Sequence, residues 1–176
     1  MKDTIKWLSI LVILTIMAFT PVWAQSSNMN WFQFNQDEDA FISVWVDPTF
    51  TDGGEQYGID FIKDFDWFRL KLGMSHYAQL TPNYTDFVMG TGTSFHLFRT
   101  DKITYHVGGR LGLIARSGNK TPHPLMGFES GMVVNITDKL RVGAGIWYDK
   151  RADLDFYDSP KDGLWNGKLE VIFKLN

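Results

Sequence analysis

These 176 residues contain no cysteine, which excludes a disulfide framework and withholds the thiol that a lipid-anchored lipoprotein needs. No apolar run reaches the roughly 20 residues of a membrane-spanning helix, because the one sustained stretch lasts only from Trp7 to Phe19. An excess of positive charge is missing too. Lys and Arg number 17 against 20 Asp and Glu, the formal net charge is −3, and the basic residues are scattered, so there is no electrostatic footprint for nucleic acid. The mean hydropathy is slightly negative. A chain that is polar on average can still face lipid if its apolar residues share one face, which strands allow.

The short apolar stretch belongs to an export signal. Lys2 and Lys6 form a basic start, Trp7 to Phe19 the apolar centre, and Val22-Trp23-Ala24 a small-x-small-like cleavage site before Gln25. Residues 1–24 are therefore expected to be removed, leaving 25–176 as one domain.

Eight segments then alternate apolar with polar or glycine residues, at 39–47, 55–63, 67–78, 84–97, 103–116, 125–136, 140–149 and 166–175. In the third, Phe68, Leu70, Leu72 and Met74 share one face and Trp67, Arg69, Lys71, Gly73 and Ser75 the other. The connections alternate as well. Tight links at 63–66, 99–102 and 137–139 each carry an Asp that can bond its own turn, whereas 48–54, 79–83, 117–124 and 150–165 are longer. Short turns on one rim and long loops on the other predict an all-β fold, an eight-stranded antiparallel up-and-down transmembrane β-barrel in the bacterial outer membrane. The competing architecture is a soluble lipocalin-type carrier with its apolar face inward. Glycine decides between them: Gly58, Gly73, Gly90, Gly92, Gly108, Gly112, Gly127, Gly131, Gly143 and Gly145 all fall on the polar face. A narrow eight-stranded lumen needs missing side chains, and a solvated outer surface does not. Leu, Val, Ile, Phe and Met are thus expected to face lipid, with Tyr105, Tyr148 and Phe173 as interfacial aromatics.

In signal, strand pattern and turn-loop asymmetry the chain resembles the small outer-membrane barrels of the OmpA and OmpX type. The resemblance spans the mature chain as architecture and rests on no diagnostic motif. It implies a membrane anchor, a surface adhesion or defence protein, or a lipid-modifying enzyme, and no peptidoglycan-binding domain is expected after Asn176. The expected function is that of a non-enzymatic outer-membrane barrel, serving envelope structure or surface interaction through its extracellular loops. Its partners would be outer-membrane lipids, lipopolysaccharide and surface or envelope proteins, with no nucleic acid and no cofactor.

Charges inside such a lumen must pair. The expected ion network is Asp60, Arg69, Lys71, Arg110, Glu129, Arg141, Lys168 and Glu170, joined by Lys174 and spaced by Trp45, Trp67 and Trp147. Counting from the first turn sets Asp60 opposite Arg69, and Glu129 on a diagonal from Arg110. Such packing makes an ion-conducting pore an unfavoured alternative. Ser94 and His106 should face each other beside His96, a pairing that a polar lumen explains without catalysis. His76, by parity, lies on the lipid face. The run His76-Tyr77-Ala78-Gln79 is similar to the His-x-Ser-Asn stretch of outer-membrane lipid A deacylases, but Ala78 replaces the nucleophilic serine. The alternative function, a lipid A deacylase or acyltransferase, would need Thr85 on the neighbouring strand to substitute. In the last long loop Asp153, Asp155, Asp158 and Asp162 form an acidic group whose spacing misses the EF-hand pattern, so no metal is expected there.

Overall fold

The computed structural model describes residues 32–34, 38–49, 55–65, 67–78, 83–98, 101–118, 121–156 and 162–175. The expected signal segment lies outside them. The strands are β1 (Phe32–Phe34), β2 (Ala40–Val46), β3 (Glu55–Phe65), β4 (Phe68–Ala78), β5 (Tyr84–Leu97), β6 (Ile103–Arg116), β7 (His123–Asn135), β8 (Leu140–Arg151) and β9 (Gly163–Leu175), with one helical turn, α1 (Ala152–Phe156), between the last two. From β2 to β9 each strand pairs antiparallel with the next, and β2 pairs with β9 from Ala40↔Leu175 to Val46↔Leu169. The sheet closes into an eight-stranded barrel with no free edge along its wall. Beyond the end of β4, the overhang of β5 is paired by β1, Phe32 opposite Leu97.

Alternation governs the wall. On β3, Gln56, Asp60, Ile62 and Asp64 are buried while Tyr57, Ile59, Phe61 and Phe65 are exposed. The outward set is the larger apolar one, and it includes Leu72, Met74, Phe87, Met89, Leu111, Leu113, Met126, Met132, Ile146 and Leu169. A soluble carrier would hide these residues. Two differences from the expected faces follow from register. Strand β3 runs to Phe65, which pairs with Phe68, so the first turn is only two residues long and Trp67 at its tip is exposed rather than lumenal. For the same reason Asp64, not Asp60, stands opposite Arg69, while Asp60 stands opposite Gly73.

The interior is not uniformly polar, either. Phe41, Ile62, Val133 and Ile172 form a buried cluster toward the turn rim, and Tyr77, Tyr84, Val88, Ile114 and Leu125 form another toward the loop rim. Between them lies a charged layer fitted around glycines. A Cβ on Gly58 would lie 2.6 Å from the Trp45 indole, and one on Gly143 would lie 3.0 Å from the Glu170 side chain. The missing side chains are the space those residues occupy.

Candidate functional site

The lumen holds most of the residues to which function could be assigned. Lys168 Nζ lies 2.7 Å from both Asp60 Oδ2 and Glu170 Oε2, and Ser43 donates to Glu170 Oε2 at 2.6 Å. Arg69 grips Asp64 through Nε and Nη2 at 2.7 and 3.0 Å. Lys71 donates to Glu129 Oε2, the same oxygen that Arg110 Nη1 approaches at 3.8 Å. Arg110 Nε faces Asp149 Oδ1 at 3.0 Å as an ion pair without hydrogen-bond alignment. Arg141 lies over the Phe41 ring at 4.1 Å, and Lys174 pairs with Asp39 at 2.6 Å near the turn rim. Trp45 and Trp147 meet edge to face at 5.2 Å, beneath Lys168 and Arg110 respectively.

Counting along hairpins places Glu129 on the diagonal from Arg110, but it gives Arg69 the wrong partner and misses the pairs across the lumen. Asp60–Lys168 and Lys71–Glu129 join strands that are not neighbours, so only closure of the barrel brings them together. A void lined by Trp45, Asp60, Lys71, Asp86, Arg110, Trp147 and Lys168 has a volume of about 10 Å³, room for a single water. Ser94 and His106 occupy opposed positions on β5 and β6, yet Ser94 Oγ and His106 Nδ1 have no hydrogen-bond partner. They share a register position without forming a nucleophile-base contact.

At the loop rim α1 is tied across the mouth. Asp153 accepts from Arg116 Nε at 2.6 Å and from Arg151 Nε and Nη2 at 3.1 and 2.8 Å. Arg151 also donates to Tyr84 Oη at 3.1 Å, and its guanidinium lies over the Tyr84 ring, which stacks on Tyr77. Burial raises the Asp153 carboxyl, but the bonds and charges of Arg151 and Arg116 outweigh it and hold the group below its ordinary range. This aspartate is thus an arginine partner. Asp158 and the side chain of Asp155 lie outside the described residues, and among the described residues no three His, Cys, Asp or Glu side chains gather as a metal site.

On the outer wall His76 stands opposite Thr85, with Nδ1 and Oγ1 3.0 Å apart and the Tyr57 ring 5.7 Å away. Ser75, its neighbour in sequence, is buried in the lumen and bonds Asp86 at 2.8 Å. Among the described residues no carboxylate orients the second nitrogen of His76. A base and a hydroxyl are present without the third group that fixes a reactive tautomer. The expected interfacial aromatics also face outward: Phe173 is exposed, Tyr105 bonds Ser130 Oγ at 2.6 Å, and Tyr148 packs with Phe128 and Trp165.

A closed wall, apolar outside and ionic within, defines the class: this is a transmembrane β-barrel fold. Solved structures agree on that point. The N-terminal β-barrel domain of Pseudomonas aeruginosa OprF aligns over 81% of this chain and 100% of its own, with a TM-score of 0.60 at 13% identity. A de novo designed transmembrane barrel matches over 81% and 100% with a TM-score of 0.57 at 11% identity. The Yersinia pestis outer membrane protein Ail matches over 79% and 100% with a TM-score of 0.53 at 8% identity. Neither a family model nor a curated protein matches the sequence. At these identities the likeness concerns the fold alone.

Proposed function

We propose that the chain is a non-enzymatic outer-membrane barrel, exported by a signal cleaved before Gln25, that acts through its outer wall and loops. The observation that carries this reading is the filled lumen. Among the described residues, paired charges occupy the middle, apolar clusters stand toward both ends, and the void between Trp45, Asp60, Lys71, Arg110 and Lys168 is water-sized. An interior filled in this way by the described residues favours contacts with lipopolysaccharide, surface molecules or envelope proteins on the exterior over conduction or storage in the lumen. The outer-membrane neighbours in structure support the location. In planar bilayers the purified barrel should show no steady conductance; porin-like channels would refute the reading.

A second reading, a lipid-modifying enzyme, is favoured by one contact, that of His76 with Thr85. Purified barrel incubated with lipid A and phospholipids should leave their mass spectra unchanged. Acyl loss or transfer that vanishes in His76→Ala would establish the enzyme instead.

A further inference from the structure

We propose that the outer wall of β7, β8 and β9 at the loop rim is a binding site for a phosphorylated glycolipid of the outer leaflet; this rests on the outer-membrane reading above. Three rings cluster there. Phe128 and Trp165 meet edge to face at 5.3 Å, and Tyr148 lies 5.3 Å from Trp165 and 5.8 Å from Phe128. Phe128 and Trp165 remain about half exposed. Next to Tyr148 on the same face, one step nearer the rim, stands Lys150, exposed and opposite Gly163.

Position, charge and shape each point to the same occupant. On a strand tilted by roughly 40°, the stretch from Leu140 to Lys150 rises about 25 Å, the height of the apolar band of such barrels. With Leu140 at the turn-rim boundary, the Lys150 ammonium reaches headgroup level and the three rings sit just below it. Among the described residues the other cations near this rim are engaged, Arg116 and Arg151 by Asp153. At the opposite rim Lys63 donates to the Glu38 carbonyl and Lys174 pairs with Asp39. The Lys150 ammonium and the Tyr148 hydroxyl make no hydrogen bond or ion pair among the described residues. Gly163 lets the phenol lean toward the lysine, since a Cβ there would lie 2.6 Å from Tyr148 Oη. An ammonium and a hydroxyl donor two residues apart on one face of β8 suit a phosphate, which has several acceptor oxygens and negative charge. Broad exposed ring faces beneath them match the apolar C–H face of a sugar better than a glycerol headgroup. Together they select a sugar phosphate with acyl chains below it.

The full-length barrel is refolded into phosphatidylcholine vesicles carrying either lipopolysaccharide or phosphatidylglycerol at equal negative charge. Bound lipid is then counted by native mass spectrometry after mild detergent extraction. Wild type should retain lipopolysaccharide in preference to phosphatidylglycerol. Lys150→Gln should lower that retention about five-fold, Lys150→Arg should restore it, and Trp165→Leu should weaken lipopolysaccharide retention while leaving phosphatidylglycerol unchanged. Lys150→Gln retaining lipopolysaccharide like wild type would overturn the site. Equal retention of the two lipids by wild type would overturn the choice of glycolipid. A gel-mobility shift between unboiled and boiled samples reports insertion separately: insertion without the loss in Lys150→Gln refutes the site alone, and failure to insert refutes the membrane reading together with it.

Discussion

Glu129 is the residue whose loss should be felt most sharply in the lumen. Lys71 and Arg110 both address its Oε2, so Glu129→Gln leaves two buried cations without the anion between them. Gross attraction between unit charges at the 3.8 Å of the Arg110 contact is about 4 kcal/mol at an effective dielectric of 20, and desolvation offsets much of it. Removing one member of a buried pair costs more than the pair contributes, about 3–5 kcal/mol. That is a large share of the roughly 5–15 kcal/mol that holds a domain folded. The double variant Glu129→Gln/Lys71→Met should be more stable than Glu129→Gln alone, because Arg110 keeps Asp149 at 3.0 Å and no second cation remains stranded. Coupling between Lys71 and Glu129 should reach the upper part of the roughly 0.5–3 kcal/mol range for contacting residues. Coupling between Arg110 and Glu129 should be smaller, since Arg110→Met also abandons Asp149. Urea unfolding in lipid vesicles, followed by tryptophan fluorescence and gel mobility, measures all the single and double variants. Additive losses for Lys71 and Glu129, or a larger coupling for Arg110, would refute this account of the lumen.

Two glycines test which face needs an absent side chain. Gly92→Ala should cost about 1–3 kcal/mol, as its Cβ would strike the Val107 carbonyl and Gly108 Cα, whereas at outward Gly109 the nearest atom is 3.9 Å away and Gly109→Ala should stay within about 0.5 kcal/mol in the same unfolding assay. The Asp153 carboxyl is depressed, so its contribution is complete above the ordinary carboxylate range and is lost as pH falls through its folded value. Hydrogen exchange at residues 151–154 should therefore stay slow down to about pH 4 and rise only below it, with Asp153→Asn exposing the segment at neutral pH. Release between pH 7 and 5 would contradict the arginine contacts.

The strands were legible in the sequence because a lipid-facing wall forces a period of two over most of its length. Ile103 to Arg116 and Tyr84 to Leu97 have the expected bounds. The first turn, at Trp67, was less so. A tight link and a strand end share the same residue types, and assigning Asp64 to the turn shifted the expected partner of Arg69 and put Trp67 inside. Inward Phe41, Val88, Ile114 and Val133 were hidden for a different reason. On a chain whose apolar residues were expected to face lipid, their alternation with other apolar residues carries no sign of which side is which. Lys168 and Asp60 lie 108 positions apart, so no local pattern could pair them. At the outer rim, the rings of Phe128, Tyr148 and Trp165 come from three strands, and their convergence depends on register rather than spacing.

The junction of β2 with β9 is unlike every other in the wall. β2 has seven residues, whereas the other barrel strands have 11 to 14. Ser43 and Glu170, which bond across it, are 127 positions apart, while the remaining junctions along the barrel are hairpins between consecutive strands. Closing so long a loop costs about 2 kcal/mol more entropy than closing a ten-residue one, and the shortest strand provides the fewest bonds in return. The newly made chain must therefore pass through an open sheet, with the edges of β2 and β9 bare, until its final strand arrives. Closure of the cylinder between β2 and β9 is therefore the expected late step of assembly, and the same line is the expected place for unzipping under stress.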